Sequence, residues 1–212
     1  MKSMKTLSIA LLSAAFLISC GGETKKENTE STEAVKETCV YSYVSDSTTL
    51  KWTAFKFTRR AGVSGTFNRI AVNNVKSADN PVDVLVGADF SIYTPSVNSG
   101  DAERDPKLVE FFFKKLANTE TITGKIVSVN EGEAVVTIAM NGKSVDVVGK
   151  VTVDGNKVSL ATSVDMADFN GLDAIVSLNE VCSAKHTDED GESKLWPDID
   201  IVVSTVLKKE CK

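Results

Sequence analysis

The sequence predicts an all-β fold, an eight-stranded antiparallel up-and-down β-barrel with a short capping helix, and three observations carry it. Apolar residues between Thr48 and Leu207 recur with a period that is mostly two. β-Branched residues are frequent through the same stretch. Three tight-turn signals, Glu131-Gly132, Asn141-Gly142 and Asp154-Gly155, each separate two β-like runs.

The alternation is cleanest in the second half. Val145, Val147, Val151 and Val153 alternate with polar neighbours, as do Val158, Leu160, Thr162 and Val164, and then Ile199, Ile201 and Val203. Such runs read as half-buried strands with one wet face. The turn pairs accept positive φ, so they join four adjacent strands at 119–130, 133–140, 144–153 and 157–168. Strands at 48–58, 62–75 and 82–93 come before this meander and one at 198–207 follows it, which makes eight. Eight sequentially paired strands close most simply as an up-and-down barrel, which removes every sheet edge.

One segment breaks the period. Asp105-Pro106 opens a run through Leu116 with an N-cap acid, proline at the first turn and lysines at the end. Leu108, Phe112 and Leu116 share a face, with Phe111 beside them, so a short amphipathic helix should lie over the barrel. Asn170 to Pro197 is read as a second, irregular excursion containing the acidic loop Asp188 to Glu192.

The N-terminus carries an export signal at 1–19. Lys2 and Lys5 precede an apolar stretch from Leu7 to Ile18 that is short for a membrane span. Leu17-Ile18-Ser19-Cys20 then resembles a bacterial lipobox, in which a small residue precedes the cysteine that receives lipid. Cys20 is therefore the expected lipidation site, and two or three acyl chains anchor stably where one does not. The competing reading is an ordinary signal peptide with a chance cysteine; segment lengths, charges and cysteine position together favour the lipobox. Residues 20–38 are rich in Glu, Lys, Thr and Ser without aromatics, a composition expected of a flexible tether. Gly21 is not the aspartate that marks inner-membrane retention in many Gram-negative bacteria. The expected location is thus the periplasmic side of the outer membrane or the cell surface. Residues 39–212 form the barrel domain.

Removing Lys2 and Lys5 leaves 22 basic residues against 29 acidic ones, a net charge of −7. That balance, without a basic stripe, argues against a nucleic-acid partner. Roughly 170 residues beyond the tether suffice for one well-buried domain. Three cysteines remain after acylation of Cys20. With this topology the first strand begins and the last ends at one rim, so a Cys39–Cys211 disulfide is favoured. Cys182 would be the free thiol at the opposite rim.

Five pieces in order resemble the YceI family of exported barrel proteins. They are Trp52 to Phe57 with Val63-Ser64-Gly65-Thr66-Phe67; Phe90-Ser91-Ile92-Tyr93-Thr94; Arg104 to Leu108 with Phe111-Phe112-Phe113; Gly142 to Val147; and Asp168-Phe169-Asn170-Gly171. The chain departs from the family pattern in a Leu108-to-Phe spacing about a residue short, in Asn170, and in a longer acidic excursion before Trp196. The resemblance implies a lipocalin-like barrel whose lumen holds a long amphiphile, a polyisoprenoid or quinone-like lipid in some members.

The residues reach a similar place less sharply, since an eight-stranded interior takes either side chains or one slender ligand. The expected pocket comprises Trp52, Phe55, Phe57, Phe67, Phe90, Ile92 and Phe112 from the aromatic-rich first half. Val136, Ile138, Val147, Val151, Leu160 and Val164 supply smaller walls from the second. Taken singly, each is more simply a dry core residue. The rival function is a non-catalytic structural or interaction module with a filled barrel, and a homodimer is left open.

Catalysis finds little support. His186 is the only histidine, expected in a solvated loop, and no Ser/His/Asp arrangement can be argued from spacing. Cys182 and His186 with Asp188 or Asp190 make a weak metal pattern. Asp188 to Glu192 lacks the full calcium-loop spacing. No catalytic residue, metal or cofactor is assigned, and the chain is read as a binding protein rather than an enzyme.

Overall fold

The computed structural model describes residues 37–212. The expected export signal, the Cys20 lipidation site and all but the last two residues of the expected tether lie outside them.

Among the described residues, alternating inward and outward side chains build twelve strands. The first half holds β1 (Cys39–Ser42), β2 (Thr48–Lys56), β3 (Ala61–Phe67), β4 (Ile70–Asn73), β5 (Asp89–Tyr93) and β6 (Val97–Asn98). The second holds β7 (Thr121–Asn130), β8 (Glu133–Met140), β9 (Lys143–Asp154), β10 (Lys157–Asp165), β11 (Leu195–Val206) and β12 (Lys208–Cys211). Three helices interrupt them: α1 (Asp105–Phe111), α2 (Leu172–Val181) and α3 (Ser183–His186).

The ring closes through two bent strands. β4 pairs with β5 as Ile70 opposite Ile92, and β3 pairs with β6 as Phe67 opposite Val97, so the two residues Asn68 and Arg69 on one strand face the four from Tyr93 to Ser96 on the other. Through the bend the Asn68 N–H donates to the Ser96 carbonyl at 2.9 Å and the Tyr93 N–H to the Arg69 carbonyl at 3.1 Å. β3–β4 and β5–β6 therefore act as single long strands. The remaining pairs run β5–β7–β8–β9–β10–β11–β2–β3, all antiparallel. The result is the eight-stranded up-and-down barrel.

Turn chemistry sets the meander. Glu131-Gly132 and Asn141-Gly142 both hold two positive φ angles, as a type I′ turn requires. The third hairpin differs from expectation. Asp154 still pairs with Lys157, so its loop is Gly155-Asn156, with Gly155 at φ +59 as in a type II′ turn.

Three elements depart from the sequence reading. Residues 82–88 turn instead of extending, because Pro81 precedes them and Gly87 takes φ +90. The 105–116 helix breaks after Phe111 into a 3₁₀ turn over Phe113–Lys115. Its start is not capped by Asp105. Asp101 accepts the backbone N–H groups of Glu103 and Arg104, while Asp105 accepts from the Ser99 N–H and hydroxyl. Finally, the excursion after Asn170 contains α2, which buries Ala174, Ile175 and Leu178 at helical spacing.

The barrel's two ends are closed differently. Helices α1 and α2 cap one end, burying Phe112, Phe113, Leu116, Phe169 and Leu178. At the other, Val84 from the 82–88 turns packs with Val158 and Leu207, and Tyr41 and Tyr43 lie against them. Beside this second end β1 and β12 form a separate two-stranded ribbon, tied by the Cys39–Cys211 disulfide. Cys182 is a free thiol at the end of α2, on the helix-capped side.

Candidate functional site

Between the two closures the barrel interior is hollow. The cavity measures about 200 Å³, and the exposed wall is apolar throughout. It runs from Leu85 and Ala88 at the ribbon end to Phe112, Phe113, Met140 and Met166 at the helix end. Apolar voids of about 150 Å³ stay dry and accept small hydrocarbons. This one is larger and elongated.

Strand parity decides who lines it. Side chains two apart share a face, so Leu50 and Trp52 on β2 point inward together, as do Ile199, Ile201 and Val203 on β11. Of the residues expected at the wall, Trp52, Phe67, Phe90, Ile92, Phe112, Val136, Ile138, Val147, Leu160 and Val164 are there. Phe55 is not. It differs from Trp52 by an odd number of residues, lies on the outer face and carries the Arg60 guanidinium 4.4 Å from its ring centroid. Phe57 is also outside, in the turn after β2 at φ +62, flanked by Lys56 and Arg59. Val151 has the inward parity but packs against the Val84–Val158–Leu207 cluster and does not line the cavity.

Other wall residues were not assigned from sequence. Ile199, Ile201 and Val203 carried the signal, being the inward set of a recognised strand. Phe113 and Met166 did not, because they enter from irregular segments.

Glycines keep the lumen open. Gly65 stands opposite Trp52 on the neighbouring strand, and a β-carbon there would lie 2.2 Å from the indole. Gly124 stands opposite Phe90, with the same 2.2 Å from a hypothetical β-carbon to the ring. Gly149 underlies Leu160 in the same way, at 2.6 Å. Each large side chain thus settles onto a bare strand instead of projecting across the void.

Polar groups along the wall are spent on protein. The Trp52 indole N–H donates to the Thr66 carbonyl at 3.2 Å, and the Thr162 hydroxyl to the Val148 carbonyl at 2.9 Å. Thr205 shares hydrogen bonds with Ser47 and Thr48. The surface left to a ligand offers apolar contact and few directional bonds.

A second cavity, of about 90 Å³, lies at the helix-capped rim and shares Trp52 with the lumen. Lys56, Arg104, Lys107, Lys185, His186 and Cys182 are among its lining residues. His186 is half-buried here, not the solvated loop residue expected, because α3 carries it inward. Its Nδ1 lies 2.9 Å from Asn179 Oδ1 and donates to it. Burial, then the charges of Lys56 and Arg104, hold the imidazole down to about 4. Burial, then Arg104, Arg59 and Lys185, pull Lys56 below the ordinary lysine range.

The acidic loop does not converge on this cavity. Asp188 is ion-paired with Arg59, and Asp190 accepts from the Thr58 hydroxyl at 2.5 Å. Arg60 reaches Asp198 with both terminal nitrogens, and the Trp196 indole donates to the Phe57 carbonyl at 2.7 Å. These contacts dock the acidic loop and the start of β11 onto the turn between β2 and β3.

The comparisons agree with this architecture. The family model described as YceI-like domain matches residues 41–206. Among curated proteins none matches the chain. Among solved structures, a polyisoprenoid-binding domain from Saccharophagus degradans, implicated in plant cell wall breakdown, superposes with a TM-score of 0.55 at 12% identity. That match covers 82% of this chain and 99% of the other, and shows a shared fold. BcnA of Burkholderia cenocepacia gives a TM-score of 0.48 at 14% identity, covering 77% of this chain and 96% of its own. The Campylobacter jejuni YCEI protein gives 0.46 at 17%, covering 74% and 89%.

Proposed function

The chain belongs to the YceI-like family, and from that premise we propose that it binds one long, slender amphiphilic lipid in the barrel lumen, without catalysing a reaction. The observation that carries this reading is the hollow itself, about 200 Å³ with a wholly apolar exposed wall. A filled barrel, as a purely structural module would have, lacks such a space. Burying hydrocarbon at about 25 cal/mol per Å² is the only large favourable term this wall offers. Affinity should therefore grow with chain length until the lumen is full.

The size sets the class of ligand. Pockets for drug-sized molecules usually span about 300–1,000 Å³, so this lumen suits a single linear or isoprenoid chain. Two-chain lipids are too wide. The polyisoprenoid-binding domain that shares this fold supports an isoprenoid or quinone-like tail. Delivery at the membrane fits the expected acyl anchor on Cys20, which would hold the barrel at the outer membrane or cell surface.

Protein purified from its own cells without detergent tests this reading. Organic extraction and mass spectrometry should return a single-chain or isoprenoid lipid near one per barrel. Recovery of no lipid, or of only bulk two-chain phospholipid, would count against it.

A further inference from the structure

We propose that the basic cavity at the helix-capped rim receives the anionic head, a phosphate or carboxylate, of the amphiphile whose tail occupies the lumen. This assignment rests on the lumen reading above and adds the chemistry of the head to it.

The charge balance of the cavity is the first observation. Lys56, Arg104, Lys107 and Lys185 line it, against Asp101 as the only carboxylate among the lining residues. This concentration of cations stands out in a chain whose formal net charge is −5. Asp101 pairs with one Arg104 nitrogen at 3.1 Å, and Glu103 approaches Lys185 only at 3.5 Å. The Lys56 ammonium donates to the Lys185 carbonyl at 2.9 Å, and neither Lys56 nor Lys107 has a carboxylate ion pair among the described residues. Cations gathered over a low-dielectric wall favour an anion between them, through charge-assisted hydrogen bonds.

Position is the second. Trp52 belongs to both cavities, and Leu108, Leu178 and Leu195 form the apolar side of the smaller one. A head among the cations would direct its chain past Trp52 into the lumen. Lys56 is held below the ordinary lysine range by burial first and then by Arg104, Arg59 and Lys185, with Asp188 opposing them, and an anion in the cavity would relieve the repulsive part.

His186 supplies a local reporter, since it is the only histidine and lines the same cavity. Its imidazole is held to about 4 in part by Lys56 and Arg104. An anion beside those cations must raise its midpoint.

The test compares dodecyl phosphate, dodecanol and inorganic phosphate by calorimetry and by the His186 proton resonance. Dodecyl phosphate should bind tighter than dodecanol by about tenfold at low salt, the worth of one or two charge-assisted contacts, and raise the His186 midpoint. In Arg104→Gln with Lys107→Gln that advantage should vanish while dodecanol binding is unchanged. Lys185→Gln, on the exposed end of the cluster, provides an independent variant with the same expected direction. Equal binding of the two chains, or an advantage that survives the substitutions, overturns the head site and leaves the lumen reading standing. Failure of both chains to bind overturns the lumen reading and the head site with it. An equal His186 response to inorganic phosphate alone makes the cavity a free-anion site and overturns the headgroup assignment.

Discussion

The ring of Phe90 lies across Gly124 on the adjacent strand, so closely that a β-carbon on Gly124 would stand 2.2 Å from the ring's Cζ. With Trp52 over Gly65, this pairing explains how a barrel rich in aromatic residues keeps an empty axis. The same arrangement makes the glycines functional, because what they lack becomes ligand space.

Gly124→Ala should therefore destabilise the fold by about 1–3 kcal/mol, the usual range for an overpacked core. Part of that cost is the ring and part is the Thr137 carbonyl, 2.3 Å from the added carbon. A double-mutant cycle with Phe90→Leu, read by urea unfolding, should show the alanine costing less when the ring is gone. Additive effects would mean that the ring does not rest on the glycine.

Gly149→Ala offers the gentler version. Leu160 Cδ1, the nearest atom to the added carbon at 2.6 Å, is the end of a flexible side chain on the cavity wall, so its displacement should take space from the lumen. The variant should fold, and its capacity for a long-chain alcohol should fall severalfold. Unchanged binding would place the chain elsewhere.

Acid should weaken the protein through His186 before it reaches the carboxylates. The imidazole titrates at about 4 when folded and near 6.5 when unfolded, so the unfolded chain binds the extra proton between those values. Stability should fall as pH drops from about 6.5 to about 4, then level off for this group. Asp101, Asp188, Asp190 and Asp198 are held below the ordinary carboxylate range by hydrogen bonds from backbone or side-chain donors. Their contribution is lost only at still lower pH. His186→Gln should flatten the upper window in chemical denaturation. A slope that persists there would assign it to another group.

Reduction of Cys39–Cys211 should cost roughly 2–5 kcal/mol, as removal of a long-loop disulfide does. The bridge closes a loop of 172 residues and sits on the two-stranded ribbon beside the Tyr41 and Leu207 packing. Reductant should lower the melting temperature and speed amide exchange in β1 and β12 first. A melting temperature indifferent to reductant would make the ribbon self-sufficient.

Much of the barrel was legible because its determinants are local. Glu131-Gly132 and Asn141-Gly142 announce their turns, and the valines of β9 and β10 announce their faces. The bend at Asn68 and Arg69 was not legible, since it depends on the Arg69 N–H donating to the hydroxyl of Ser96, 27 residues away. Helix α2 carries its buried Ala174, Ile175 and Leu178 at helical spacing, but exposed Leu172, Val176 and Val181 on the other face blur that pattern in the sequence. Phe55 and Phe57 show the hazard of reading composition without parity. Both are aromatic, yet the even step from Leu50 to Trp52 already places Phe55 outside. The basic cavity was invisible for a different reason. Lys56 comes from β2, Arg104 from the residue before α1, Lys107 from α1 and Lys185 from α3, and only the packed helices bring them together.

Native mass spectrometry of the folded protein titrated with a neutral long-chain alcohol tests the hollow lumen most directly. The lumen reading predicts a single adduct that saturates at one per chain and disappears when Val136→Phe and Ile201→Phe fill the axis, with near-ultraviolet circular dichroism retained. An adduct that persists undiminished in the filled variant, or none with the natural sequence, would contradict it.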